Sequence, residues 1–249
     1  MPVFAKNLAE HTELLHGFCG VPSSSPNAFA TEKEAASYTQ NNRCASLDAL
    51  HMPHPSILLK QTHSTDVQEV TDQFLQTYDP TAPPEGDVLI TQKPNVPIGM
   101  RTADCGPLLW LETEKKIIAA THAGWRGALN GAIEATLDAF EHLGGHKDNL
   151  VVALGPTIHR TQYEVGEDFQ KTFLEKNESF TTFFVKESQK VYFDLPSFLM
   201  HKLNNLGLKQ CLWTGHNTFE PLFFSRRRAL HSQRHHGSNY AFIMKRDVT

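Results

Sequence analysis

The chain predicts an α/β fold, and three observations carry that expectation. Short runs of β-branched and large apolar residues recur from Ile57 onward. A helical apolar spacing then takes over in well-bounded stretches, with strand-like runs returning between and after them. No linker or internal repeat divides the chain after residue 57, so its 249 residues read as one domain spanning 1–249.

Taken in order, residues 20–56 are rich in Ser, Pro, Asn and Ala and read as an irregular excursion, with a helix over 32–41. ILLKQ, DVQEV, DVLIT, IGMRT, PLLWL and KIIAATH follow, separated by turn clusters such as DPTAPPEGD and KPNVP. They predict six strands and a sheet made largely of near neighbours. The spacing of Ile133, Leu137 and Phe140 predicts a helix over 130–143, stopped by Gly144 and Gly145. LVVALG is a buried strand, and a weaker helix covers 166–175. Asp194 has the acceptor a helix start needs, Pro196 is tolerated in the first turn, and the apolar spacing runs on to Gly207. QCLW and YAFIMK close the chain as strands. HSQRHHGSN reads as a mobile polar loop.

Composition narrows the function classes. A formal net charge of −4 gives no cationic field for a phosphate backbone, so nucleic acid is not an expected partner. No apolar run is long enough to span a membrane and the first residues lack a signal-peptide layout, which predicts a cytoplasmic protein without membrane contact. Cys19, Cys44, Cys105 and Cys211 lie far apart with no CxxC pair, so they read as reduced thiols rather than a disulfide framework.

Three segments set a metal-ligating side chain at or just after a strand: KQTHS with His63, TADCGP with Cys105, and THAGWRG with His122. Cys105 and His122 are 17 positions apart, which suits two strands joined by the tight ETEKK turn and returns His122 to the sheet end that carries Cys105. Two imidazoles and a thiolate form a three-ligand set with an open fourth position, the pattern of catalytic zinc. The same residues also admit a metal-free reading, with His122 deprotonating a nucleophilic Cys105, and a plain one of hydrogen-bonded surface or core side chains. In HAGWRG, Arg126 projects a planar fork suited to phosphate or carboxylate, and Arg101 precedes Cys105 by four positions. Both also suit surface ion pairs. Trp125 is available for stacking on a planar ring or for packing. Tyr163 to Gly166 lead toward a helix start near the pocket.

TADC followed by Pro107, then HAGWRG, then LGPTIHRTQYEVG and FFSRRR, resembles the YfiH-like family, long labelled polyphenol oxidase or laccase-like, from about His16 to Lys245. The resemblance implies mixed β-sheets packed together with flanking helices, and a zinc site of His63, Cys105 and His122. It also implies phosphorolysis of adenosine, inosine and methylthioadenosine and deamination of adenosine; peptidoglycan editing has been attached to bacterial members. Three positions depart from the pattern: Thr157 where a cysteine is usual, Asn217 for the cysteine of a Cys-Thr pair, and Arg226 for the aromatic of FFSYRR. Arg227, Arg228 and Arg234 keep the basic positions of that closing motif. The laccase label meets a shortage of donors, since multicopper oxidation needs a blue-copper centre plus a cluster of paired histidines. The 14 histidines include no His-x-His pair. Copper bound at His51 and His54, or at His235 and His236, would be adventitious.

On that resemblance, zinc activates water for attack at C6 of adenosine. For phosphorolysis, Arg126, with Arg101 and Lys60, positions phosphate against C1′, and Gln61 joins them in holding substrate. Cys105, His122 and Arg126 are the expected catalytic residues, and either Asp104 or Asp87 is the proton donor, unless it orients a ligand instead. Two rivals stand beside this: a cysteine hydrolase built on Cys105 and His122, and an editing factor whose zinc is structural. Monomer and homodimer are equally compatible with the sequence.

Overall fold

The hairpin expected between PLLWL and KIIAATH is the centre of the molecule. In the computed structural model, which describes residues 2–21 and 28–247, β5 (Gly106–Glu112) and β6 (Ile117–Ala123) pair antiparallel with Pro107 opposite His122. They form the middle of a six-stranded sheet ordered β11 (Gln210–Trp213), β7 (Leu150–Leu154), β5, β6, β3 (Val88–Thr91) and β2 (Val67–Glu69). The inner four strands are antiparallel, whereas β11 and β2 run parallel to their neighbours.

A second sheet joins β1 (Leu14–Cys19), β12 (Asn239–Lys245) and β4 (Ile98–Thr102). Here the expectation of near-neighbour pairing fails, because β4 leaves the hairpin and pairs with β12 at the far end of the chain. Gly99 lets this happen: a Cβ there would lie 2.3 Å from the Phe242 ring and from the Ala241 carbonyl. The ILLKQ run also differs from expectation. It makes only isolated bridges, Ile57 to Ile98 and Lys60 to Glu85, because it crosses from one sheet to the other instead of following one neighbour. A third, small sheet joins β8 (Glu164–Val165), β10 (Lys190–Phe193) and β9 (Phe184–Glu187).

Strand alternation separates the cores. Leu108 and Trp110 of β5 face helices, together with Phe140 of α5 (Ala132–His142), Phe173 of α6 (Glu167–Lys176) and Phe198 of α7 (Leu195–Asn205). Leu109 and Leu111 face the opposite way, against Ile98, Met100, Ala241 and Ile243 of the second sheet. The outer face of that sheet, with Tyr240, Phe242 and Met244, is covered by Leu47 of α2 (Glu32–Ala49). Helix α2 is longer than the expected 32–41. Thr31 and Glu34 form a reciprocal cap at its start, and no glycine or proline interrupts 28–52. Residues 22–27 of the Ser- and Pro-rich stretch lie outside the described residues.

Helix ends follow local chemistry. The helix expected over 130–143 is α5, and Gly131 at φ 110° separates it from a short helix that the spacing did not show, α4 (Trp125–Asn130). Asp194 accepts from the Ser197 amide at 3.1 Å to start α7. Short helices α1 (Lys6–Ala9), α3 (Asp72–Thr77) and α8 (Arg226–His231) have too few turns to show a sequence period. The polar loop expected over 231–239 is tied down, since His235 bridges to Phe29. Among the described residues, no helix is long and apolar enough to cross a membrane.

His16 on β1 is buried, and its Nε2 accepts from the Ala5 amide at 3.0 Å. Burial pushes its pKa down to about 4, whereas an exposed histidine titrates near 6.5. The unfolded chain therefore binds a proton that the folded chain refuses between those values. Stability is full above pH 6.5 and falls as pH drops toward 4, by roughly 3 kcal/mol from this residue. Urea midpoints at pH 7.5 and 4.5 check this against His16→Gln, which keeps an acceptor but does not titrate. The acid-induced loss should be smaller in the variant; equal losses would rule His16 out as the source.

Candidate metal centre

His63, Cys105 and His122 come together: the hairpin spacing pairs Cys105 with His122, and His63 joins them as the resemblance implied. One donor atom from each lies within 4.8 Å of the other two, and among the described residues they are the one His/Cys/Asp/Glu group so placed. The Cys105 Sγ is 3.8 Å from His63 Nε2, and the two imidazole rings are 4.9 Å apart.

Each ligand has its own support. His122 is fixed by the hairpin register opposite Pro107, and its Nδ1 donates to the Asp87 carboxylate at 2.7 Å. That bond commits Nδ1 to the proton and leaves Nε2 for a metal. The other Asp87 oxygen accepts from the Thr62 amide at 3.0 Å, the Ser64 amide at 2.7 Å and the Ser64 hydroxyl at 2.9 Å. Those amides flank His63, which sits at φ 61°, a backbone conformation that needs such anchoring. One buried carboxylate thus orients two ligands from separate segments. Burial alone would raise its pKa, but the bonds from His122 and Ser64 hold it well below the ordinary carboxylate value.

Cys105 follows Asp104, whose φ of 96° turns the chain into β5. Four bonds hold that turn. The Asp104 carboxylate accepts from the Thr218 hydroxyl and the Arg227 amide, each at 2.7 Å, and its carbonyl accepts from the Ile158 amide at 2.9 Å and the Thr157 hydroxyl at 2.8 Å. Thr157 thereby has a definite role where the family pattern has cysteine, and Asn217 donates to Gln162 at 2.8 Å. Burial opposes ionisation of both Cys105 and His122. Their mutual attraction prevails, with His63 adding to the thiol and Asp87 to the imidazole, so the thiol pKa is lowered and the imidazole pKa raised.

The three ligands fit a zinc ion. Soft thiolate and two imidazoles are a zinc donor set with one position open, and Gly124 keeps the space between them. A Cβ at Gly124 would stand 2.7 Å from the His63 ring and 2.9 Å from the Cys105 sulfur.

His63 and Cys105 open into a cavity of about 430 Å3 whose wall includes Trp125, Tyr163, Phe169, Arg226 and Arg227. The other expected site residues go elsewhere. Arg126 is exposed, with its guanidinium 4.7 Å over the Trp125 ring, and is not part of that wall. Lys60 and Arg101 line a different cleft, of about 1020 Å3, where Lys60 pairs with Glu85 at 2.8 Å. Gln61 clamps the Arg101 backbone from both sides, donating to its carbonyl at 2.8 Å and accepting from its amide at 2.9 Å. Neither aspartate is a free acid here, since both oxygens of each are engaged. Arg226 and Arg227 were legible as a basic motif in FFSRRR, but nothing local places that motif beside residues 63, 105 and 122.

The family model described as multi-copper polyphenol oxidoreductase laccase matches residues 11–246. The chain belongs to this family. Relatives sharing its sequence include a purine nucleoside phosphorylase of Rickettsia conorii, 33% identical over 196 residues, covering 76% of this chain and 78% of that protein. The purine nucleoside phosphorylase YfiH of Escherichia coli is 28% identical over 213 residues, covering 83% and 82%. The crystal structure of YfiH from Bacillus licheniformis has the same fold, with a TM-score of 0.78 at 23% identity over 95% of this chain and 94% of that one. YlmD of Geobacillus stearothermophilus also gives 0.78, at 22% identity over 98% and 94%. The YfiH-like resemblance and the packed mixed sheets it implied are thus the family and fold of this chain.

Proposed function

We propose that this chain is a zinc-dependent purine nucleoside enzyme, splitting adenosine, inosine and methylthioadenosine with phosphate and deaminating adenosine. The observation that carries the reading is the His63, Cys105, His122 set beside an aromatic cavity holding two arginines. The names of the relatives support its phosphorolysis part. Bound by the three ligands, zinc supplies Lewis acidity.

The rest follows from the chain's own groups. Trp125 and Phe169, packed on one another with ring centroids 4.6 Å apart, both line the cavity and give it an aromatic surface against which a purine packs. Arg227 takes the phosphate-holding role expected of Lys60, Arg101 and Arg126. Its guanidinium lies 5.4 Å over the Tyr163 ring and donates to the Glu164 carbonyl at 2.7 Å, leaving further N–H groups for an anion. In phosphorolysis a phosphate oxygen bonds to C1′ while the bond to purine N9 breaks. In deamination water adds at C6 and ammonia leaves. Among the described residues the Tyr163 hydroxyl has no hydrogen-bond partner and is available to substrate.

Product chromatography tests the reading with protein stripped of metal and reloaded with measured zinc. Adenine that needs phosphate, and inosine that does not, should both rise with zinc content. A zinc-loaded sample that yields neither overturns the nucleoside assignment. The cysteine-hydrolase reading is favoured by one observation, the Asp87 to His122 bond beside Cys105, which resembles an acid–base–thiol relay. It gives His63 no more than a supporting contact to the thiol, and it requires full activity in the stripped protein.

A further inference from the structure

The mouth of the cavity beside the metal centre carries a charge that the protein does not neutralise. Arg226 and Leu230 both line it, one helical turn apart on α8, and both are exposed. Among the described residues, the Arg226 guanidinium forms no hydrogen bond or ion pair with the protein. Every other charged group of the wall is engaged. Asp104 accepts from Thr218 and Arg227, Glu164 is paired with Lys190 at 2.8 Å, and the Arg227 guanidinium donates to a carbonyl while covering Tyr163.

We propose that Arg226 makes this cavity select a purine nucleoside carrying a 5′-phosphate over the uncharged nucleoside. The inference rests on the nucleoside reading above and names its substrate class. A guanidinium at the rim matches a phosphate geometrically and electrostatically, and a cavity of about 430 Å3 is of the size that takes such ligands. The sugar phosphate lies at the end of the substrate away from the purine, which places it at the mouth when the base is held by Trp125 and Phe169. With adenosine 5′-monophosphate, the N9–C1′ bond breaks, a C1′–O bond to inorganic phosphate forms and the purine takes up a proton. The products are adenine and ribose 1,5-bisphosphate. Arg227, deeper in the wall, holds the attacking phosphate.

The experiment compares adenosine with adenosine 5′-monophosphate on zinc-loaded protein, as wild type, Arg226→Tyr and Arg226→Lys. Adenine release gives kcat/KM, and isothermal titration calorimetry without inorganic phosphate gives Kd for each compound without phosphorolysis. The expected wild-type preference for the nucleotide is about tenfold or more. It should fall toward unity in Arg226→Tyr, chiefly through KM, and return in part in Arg226→Lys. A wild type that prefers adenosine, or a preference that Arg226→Tyr leaves intact, overturns the proposal. So does an Arg226→Tyr variant whose main defect is a raised KM for inorganic phosphate, since Arg226 would then hold the co-substrate. If neither compound is cleaved but the nucleotide binds more tightly in an Arg226-dependent way, the anion site stands and the phosphorylase reading falls. Absence of binding and of cleavage removes both.

Discussion

Gly124→Ala is expected to empty the metal centre almost as fully as Cys105→Ala, although alanine ligates nothing and removes nothing. Gly124 has φ −71° and ψ 160°, which any residue adopts, so the backbone is not the obstacle. The obstacle is space. The added Cβ would meet the His63 ring at 2.7 Å and the Cys105 sulfur at 2.9 Å. Neither is a loose end: His63 is held by the two amide bonds on either side of it, and Cys105 follows a turn pinned by four bonds. Relief requires one of them to move off the ion, and displacing a ligand from a three-ligand set costs at least the 10- to 100-fold in affinity typical of losing a supporting contact, on the order of a hundredfold or more here. Zinc per protein after dialysis against a weak chelator measures it, with urea midpoints showing that the fold persists. Under the proposed function, product formation should fall in parallel with zinc. A Gly124→Ala protein that keeps stoichiometric zinc would mean that the ligands do not close around this glycine.

The legible and illegible parts of this molecule divide by sequence separation. Cys105 and His122 were readable as partners because one hairpin joins them, and hairpin geometry follows from alternation and turn residues nearby. Asp194 and Gly207 marked the limits of α7 for the same reason: a cap is a local device. His63 reaches the site through Asp87, a partner 24 positions away that reads in sequence either as a candidate acid or as a group orienting a ligand, with nothing local to say which ligand. The arginines show the limit more sharply. Arg101 is four positions from Cys105, but β4 turns away to pair with β12, and that pairing rests on Gly99 meeting Phe242 and Ala241 across most of the chain. Nearness in sequence therefore put Arg101 at the wrong cavity for joint action with the metal. Arg227 arrives from the opposite direction: its amide crosses 123 positions to Asp104, and no periodic pattern encodes a contact of that kind.

Asp87→Asn is the second large effect expected, and it follows from proton counting at one carboxylate. The aspartate offers only acceptors, and all four of its strong partners donate: His122 Nδ1 on one oxygen, and the Thr62 amide with the Ser64 amide and hydroxyl on the other. Asparagine is nearly the same shape but has one acceptor and one donor group. If its oxygen stays with the 62–64 loop, its NH2 faces His122 Nδ1. The imidazole must then bare Nδ1 and protonate Nε2, which removes the lone pair a metal needs. If the amide flips, the NH2 confronts two backbone N–H groups, and the φ 61° conformation of His63 loses its anchor. Either orientation disables one ligand. The expected loss is roughly 10- to 100-fold in zinc affinity or in turnover at saturating zinc, the range for removing a ligand's hydrogen-bond partner. Competition with a chromogenic chelator reads the affinity, and the 15N chemical shifts of His122 read the tautomer. Unchanged affinity together with an unchanged Nδ1–H would show that the hairpin alone holds His122 and that Asp87 serves only the loop.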